Sequence, residues 1–216
     1  MGGGIVQIRI PGPIPDDLTV FETMRAEADG RIPLWDLHRD RLRRGCAAVG
    51  FPLDEGRVWT ALAGLPRGQV LRARLAVAAD GAVALTHAPL PPNPPRWHVV
   101  MSPLRLDPSN LWLGIKSSNR PVYEAARAAL PPGADEALLC NHDGALCEGT
   151  ITNVFLRRGA RLVTPALACG LLPGVLRAHL LRDGQAQEAV LSPDDLRQGE
   201  AFCGNALRGL IPIRLI

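Results

Sequence analysis

Lys116 is the only lysine among 24 basic side chains, and it lies in Gly114-Ile115-Lys116-Ser117-Ser118-Asn119-Arg120. Arginine serves solubility, ion pairs and anion contacts while staying protonated. It does not attack a carbonyl carbon as a free amine, whereas a lysine desolvated at an element boundary does. A composition biased towards Arg, Ala, Pro and Gly would leave a lone lysine by accident equally well. Glu148 sits in Leu146-Cys147-Glu148-Gly149-Thr150-Ile151-Thr152-Asn153-Val154-Phe155, a carboxylate between two apolar segments. If buried, it needs a partner; a strand-end surface glutamate fits the same pattern. Leu171-Leu172-Pro173-Gly174-Val175-Leu176-Arg177 opens a helix whose first N–H groups lack intrahelical partners, a natural seat for a phosphate or simply an ordinary helix start.

An amine nucleophile, a buried carboxylate and a helix start for a phosphate together suggest pyridoxal 5'-phosphate. The lysine would bond its aldehyde carbon, the carboxylate would keep its ring nitrogen protonated, and the helix would hold its phosphate.

The elements around these residues follow from spacing and turn chemistry. Phe21 to Glu27 reads as a strand, Ala28-Asp29-Gly30 as a turn, and Arg31 to Leu34 as a returning strand. Asp36 caps a helix through Val49, ended by Gly50, and a second helix covers Glu55 to Gly64. Strands are expected at 70–77, 83–86 and 97–104. The proline-rich stretch 89–95 is a loop or linker. Asp107-Pro108-Ser109-Asn110 is taken as the domain boundary, giving a smaller N-terminal domain over 1–107 and a larger one over 108–216. Asn119 caps a helix over 121–130, with Pro121 in its first turn. Strands follow at 136–140, 145–147, 152–156, 161–164, 186–191, 201–203 and 211–213, with helices at 174–181 and 192–197. Hairpins mixed with helices predict an α+β chain, not a doubly wound nucleotide fold.

The 216 residues are 47% hydrophobic and 21% charged, enough for a sizeable core. A net charge of +3 without a basic run, and 4% aromatic residues, argue against nucleic-acid binding. No apolar run approaches a membrane span, and Met1 to Val6 shows neither a secretory leader nor a myristoylation signal. Five scattered cysteines favour a reducing cytoplasm. Cys140, His142 and Cys147 match no common zinc spacing, so no metal is expected.

In order and spacing these motifs resemble the class IV (fold type IV) aminotransferase family, which holds branched-chain and D-amino-acid aminotransferases and aminodeoxychorismate lyases. Phe21-Glu22-Thr23-Met24-Arg25 is similar to its early strand, and His38-Arg39-Asp40-Arg41-Leu42 to its His-x-x-Arg-Leu helix. The resemblance implies a two-domain fold with pyridoxal phosphate in the interdomain cleft, and a homodimer. It makes Lys116 the Schiff-base lysine, Arg41 a phosphate contact and Glu148 the partner of the pyridine nitrogen. Leu172 would pack on the ring, while Gly174, Val175 and Leu176 hold the phosphate. Asn205 and Ala206 lie in the last cofactor-side loop, with Ala206 where relatives often carry a hydroxyl.

Lys116-x-x-Asn119-Arg120 followed by Asn205-x-Leu207-Arg208-Gly209 looks most like the aminodeoxychorismate lyase branch. That implies release of pyruvate from 4-amino-4-deoxychorismate to leave 4-aminobenzoate, a step towards folate. Arg25, Arg120 and Arg208 are candidate clamps for the two substrate carboxylates, although in so arginine-rich a chain at least one can be a solvated surface arginine. Two alternatives stay open: a class IV transaminase for branched-chain or D-amino acids, and a non-catalytic relative. A class I aldolase on the same lysine would need a longer, barrel-forming chain.

Overall fold

Residues 9–216 are described by the computed structural model, so the N-terminal residues on which the expectation of no leader rests lie outside the described part. By its internal contacts the chain forms two units. One comprises the residues up to Leu90 together with Ile115–Asn119, and the other comprises Pro91–Gly114 and Arg120–Ile216.

The first unit is a three-stranded antiparallel sheet with two helices: β1 (Thr19–Ala26), α1 (Trp35–Val49), α2 (Glu55–Ala63), β2 (Leu71–Ala78) and β3 (Val83–Pro89), the strands in the order β1-β2-β3. Strand alternation gives β1 two faces. Val20, Glu22, Met24 and Ala26 are buried on one of them. Helix α1 buries His38, Arg41, Leu42, Gly45, Cys46 and Val49, the stripe its 3.6-residue period dictates. A Cβ on Gly45 would lie 2.8 Å from a methyl of Val20, so the absence of a side chain there permits the close approach of α1 to β1.

The second unit is built on an eight-stranded mixed sheet. Its elements are β4 (Trp97–Leu106), α3 (Pro121–Ala128), β5 (Glu136–Asn141), β6 (Leu146–Gly149), β7 (Asn153–Arg158), β8 (Arg161–Pro165), α4 (Val175–Arg182), β9 (Ala186–Ala189), β10 (Ala201–Asn205) and β11 (Gly209–Leu215). The order is β10-β11-β4-β5-β6-β7-β8-β9, and β10 also pairs with β7. That second pairing closes a ring and leaves β8 and β9 as an extension. Closure satisfies backbone groups that open edges would expose. Pairing is parallel for β4 with β5 and with β11, and for β8 with β9. Val99, Leu138, Leu146, Val154, Leu156, Cys203 and Ile211 form the main core.

The α+β class is as expected; several details are not. Arg31 to Leu34 is no strand. Glu27 N–H donates to Arg31 O, Pro33 lacks a donor, and Leu34 takes a left-handed φ of 58°, so the chain turns directly into α1 and β1 takes β2 as its partner. Leu34 rather than Asp36 is therefore the N-cap of α1, and Arg120 rather than Asn119 that of α3. The division between units falls after Leu90, within the proline-rich stretch, not at Asp107. The strand between, β4, finds its hydrogen-bonding partners in β5 and β11. Among the described residues no helix is long and apolar enough to cross a membrane.

Candidate active site

Lys116 lies on a short segment that extends the first unit's sheet along β1. Phe21 N–H donates to Lys116 O, Ser118 N–H to Thr19 O and Thr19 N–H to Ser118 Oγ, each at 2.9 Å, around an antiparallel bridge between Val20 and Ser117. The backbone of the lysine is thereby fixed while its side chain reaches the Phe21 ring, with Nζ 4.8 Å from the ring centroid. Arg74 meets the same ring at 4.2 Å, and its burial holds the guanidinium below the usual arginine range. By register Arg25 pairs with Arg72, and Thr23 with Arg74. This face of the sheet therefore carries Lys116, Arg74, Arg72 and Arg25, of which Arg25 is bonded to Glu27 at 2.8 Å.

On the opposite face of β1, Glu22 is fully enclosed. Arg41 Nε and a terminal N donate to its two oxygens at 2.7 and 2.6 Å, and His38 Nδ1 lies 2.7 Å from Oε2. Burial opposes ionisation of Glu22, but the Arg41 charge and hydrogen bonds and the His38 contact outweigh it, bringing the carboxyl down to about 2. Arg41 is thus forked onto a carboxylate that dictates the plane of its guanidinium.

In the second unit Glu148, 3% exposed on β6, collects donors from three elements. Tyr123 Oη donates to Oε1 at 2.6 Å and Leu172 N–H to the same oxygen at 2.9 Å, while Asn153 Nδ2 reaches Oε2 at 3.3 Å. Burial and the Glu148 charge push the Tyr123 phenol well above its usual range, so it remains a donor. Asn153 also donates to Leu172 O at 3.0 Å, tying β7 to the segment that leads into α4. Gly174 is the N-cap of α4 and offers no side chain, so the first-turn N–H groups of the helix are the natural anion donors.

Beneath the Glu148 loop lies a second carboxylate, Glu136, with no exposed surface. It accepts from Thr150 N–H at 3.0 Å, Ile151 N–H at 3.1 Å, Thr152 Oγ1 at 3.0 Å and Thr150 Oγ1. A Cβ on Gly149 would fall 2.9 Å from its carboxyl carbon, so the loop wraps this group tightly.

The remaining sequence candidates are placed as follows. Val175 is buried, and Leu176 packs close to Gly204, so both can serve an anion only through their backbone. Asn205 joins the loop cluster through Nδ2 to Ile151 O at 3.2 Å, and its Oδ1 accepts from Leu207 and Arg208 N–H, shaping the turn that holds Ala206. Arg120 donates to Thr150 O and lies 5.1 Å from the Tyr123 ring, which puts it beside the Glu148 network. Arg208 instead bonds Asn93 Oδ1 at 2.9 Å and Pro91 O at 3.3 Å. Cys147 donates its thiol to Cys169 O, and burial pushes that thiol up to about 12.

Sequence reasoning passed over Glu22, His38, Arg74, Glu136 and Asn153, and did not connect Tyr123 to Glu148. A signal existed for two of them. Glu22 shares a strand face with Val20 and Met24, and a charge there demands a partner such as Arg41. Asn153 is a polar residue opening an otherwise apolar strand. Nothing local marks Glu136, whose donors in the 150–152 loop lie 14 to 16 residues away.

The first unit thus offers an amine, and the second a hydrogen-bonded carboxylate and anion donors at a helix start, groups of the kind that pyridoxal phosphate uses. The family model described as amino-transferase class IV matches residues 19–216. A solved structure from Mesorhizobium loti, a candidate amino-acid aminotransferase, is 42% identical and superposes with a TM-score of 0.86 over 93% of this chain and 100% of that one. A candidate aminodeoxychorismate lyase of Schizosaccharomyces pombe is 38% identical over 91 residues, 39% of each chain. The 4-amino-4-deoxychorismate lyase structure from Pseudomonas aeruginosa is 25% identical, with a TM-score of 0.76 over 91% of this chain and 82% of that one. Matched segments span 39% or less of the length of the curated relatives.

Proposed function

The chain belongs to the class IV aminotransferase family, and on that footing we propose that it binds pyridoxal 5'-phosphate on Lys116 and releases pyruvate from 4-amino-4-deoxychorismate to give 4-aminobenzoate. The observation that carries the cofactor reading is the enclosure of Glu148 by Tyr123, Leu172 N–H and Asn153, next to a helix start whose Gly174 leaves only backbone donors. When bound, pyridoxal phosphate supplies an electrophilic aldehyde and a protonated ring able to store an electron pair.

The side chains divide the remaining work. Glu148 would hold the proton at the ring nitrogen. By the family resemblance the α4 start would hold the phosphate, with Arg41, oriented by Glu22, as a further candidate contact. Leu172 and Asn205 would border the ring. Lys116 Nζ, freed once the substrate amine has taken its place on the cofactor, would take the proton from the substrate ring carbon that bears nitrogen. The electron pair freed there completes the aromatic ring as the enolpyruvyl carbon–oxygen bond breaks. The departing oxygen leaves as enolpyruvate and, once protonated, becomes pyruvate. Arg120, with Arg25 or Arg74, grips the substrate carboxylates. Arg208, tied to the 91–93 segment, is the weakest of the original clamps.

Support for a lyase comes from the similarity to the S. pombe and P. aeruginosa lyases and from Asn119-Arg120 after the lysine. The M. loti structure, at 42% identity, favours a second reading as an amino-acid transaminase. Purified protein with pyridoxal phosphate is to be assayed for pyruvate release from aminodeoxychorismate and for amino transfer to 2-oxoglutarate. Borohydride reduction and peptide mapping follow, with Lys116→Arg as control. Pyruvate release, with the label on Lys116, is expected. Transfer without pyruvate would install the transaminase reading, and absence of both with no coloured adduct would leave a non-catalytic relative.

A further inference from the structure

Tyr123 is the only tyrosine of the chain, and its hydroxyl is spent on one atom, Oε1 of Glu148, at 2.6 Å. That separation is typical of an O–H bond to a charged oxygen. Leu172 N–H, at 2.9 Å, shares the oxygen. Two donors on one carboxylate oxygen stabilise its negative charge, fix the rotamer and lower its affinity for a proton. The Arg120 guanidinium backs the phenol ring at 5.1 Å, and α3 carries both residues, so the donor is held on a rigid element.

A proton shared between a carboxylate and a pyridine nitrogen goes to whichever is the stronger base. Weakening the carboxylate as a base leaves the proton on nitrogen, and only the protonated ring is a strong electron sink. We propose that Tyr123 is a positioning residue that, through its bond to Glu148, keeps the proton on the cofactor ring nitrogen. This role rests on the reading that Lys116 carries pyridoxal phosphate. Neither the phenol nor Leu172 N–H touches the reacting atoms; both act through Glu148.

A single tyrosine makes the test clean, because biosynthetic labelling changes one site. In the protein without cofactor, tyrosine labelled with carbon-13 at Cζ gives one resonance from this site. Glu148→Gln should move it, and an unmoved signal would overturn the pairing. With pyridoxal phosphate labelled with nitrogen-15 in its ring, the wild-type signal should be that of a protonated pyridine. In Tyr123→Phe it should move towards neutral pyridine, with kcat down about tenfold and KM little changed. Uniform 3-fluorotyrosine, a stronger donor of nearly the same shape, should move the nitrogen signal further towards protonated pyridine than wild type. It also decides the matter if Tyr123→Phe does not fold. Identical nitrogen signals in wild-type, Phe and fluorotyrosine proteins would overturn the role of Tyr123 while leaving cofactor binding intact. No uptake of pyridoxal phosphate by the wild type would overturn the cofactor reading itself, and this role with it.

Discussion

Gly174 and Asn153 approach so closely that a Cβ on the glycine would stand 1.8 Å from Asn153 Oδ1. The contact couples the first residue of β7 to the N-cap of α4, two of the elements that bear the candidate site. Gly174→Ala should therefore cost roughly 1–3 kcal/mol of stability and weaken pyridoxal phosphate binding. Adding Asn153→Ala should make the alanine cheaper to tolerate, giving a favourable coupling in a double-mutant cycle. Urea unfolding of the four proteins measures it. A Gly174→Ala protein as stable as wild type would refute the contact.

The Glu22–Arg41–His38 cluster predicts acid sensitivity. Glu22 ionises at about 2 in the folded chain against an ordinary 4.5. A depressed carboxyl stabilises the fold above the unfolded value and loses that contribution as pH falls through the folded one. Stability should thus decline from about pH 4.5 towards 2, by on the order of 3 kcal/mol from this group. Glu22→Gln should lower stability at neutral pH and flatten that limb, because Arg41 is left buried without its counter-charge. Unfolding followed from pH 6 to 2 checks it; parallel curves for the two proteins would count against the assignment.

Losing the Glu136 carboxylate and losing its ion-pair partner Arg127 should differ sharply in cost. Glu136→Gln places an amide against the N–H groups of Thr150 and Ile151, and should cost about 3 kcal/mol or more. Arg127, 3.4 Å away and 43% exposed, makes an ion pair screened by solvent, so Arg127→Ala should cost less than about 1 kcal/mol. Chemical denaturation of both variants compares them. Equal losses would show that the ion pair, not the loop donors, carries the energy.

Arg74 meets the same Phe21 ring as Lys116, which makes it a candidate for a substrate carboxylate under the proposed function. Arg74→Met should raise KM by roughly ten- to a hundredfold, the weight of a charge-assisted hydrogen bond, while borohydride still labels Lys116. Arg208→Ala should change KM by less, because its guanidinium is engaged by Asn93 and Pro91. Steady-state kinetics with the preferred substrate compares the two.

Much of this was legible from local pattern. Apolar spacing marks α1, Pro-Gly marks the start of α4, and turn formers mark the edges of β2 and β3. The expected return strand after Gly30 failed because a turn signal does not say which strand will pair: β2, some 45 residues on, supplies the partner. The same limit hid the site's supports. Lys116 and Glu148 stand out by residue type, but Glu136, Asn153 and Tyr123 matter through contacts with residues distant in sequence. Asp107-Pro108 looked like a boundary because proline and asparagine punctuate chains. Yet a boundary depends on which strands β4 joins, and a parallel pairing leaves no local mark.

The segment 115–119 belongs to the first unit although the residues on either side of it belong to the second. The polypeptide therefore passes from one unit to the other three times. No single cut can separate the two as whole pieces. A fragment ending at Leu90 would lack Lys116 and the backbone that covers the outer edge of β1, whereas one extended to Asn119 would carry β4 away from β5 and β11. Expression of either half by itself calls for a rearranged gene, in which residues 115–119 are joined to the first unit by a designed connection.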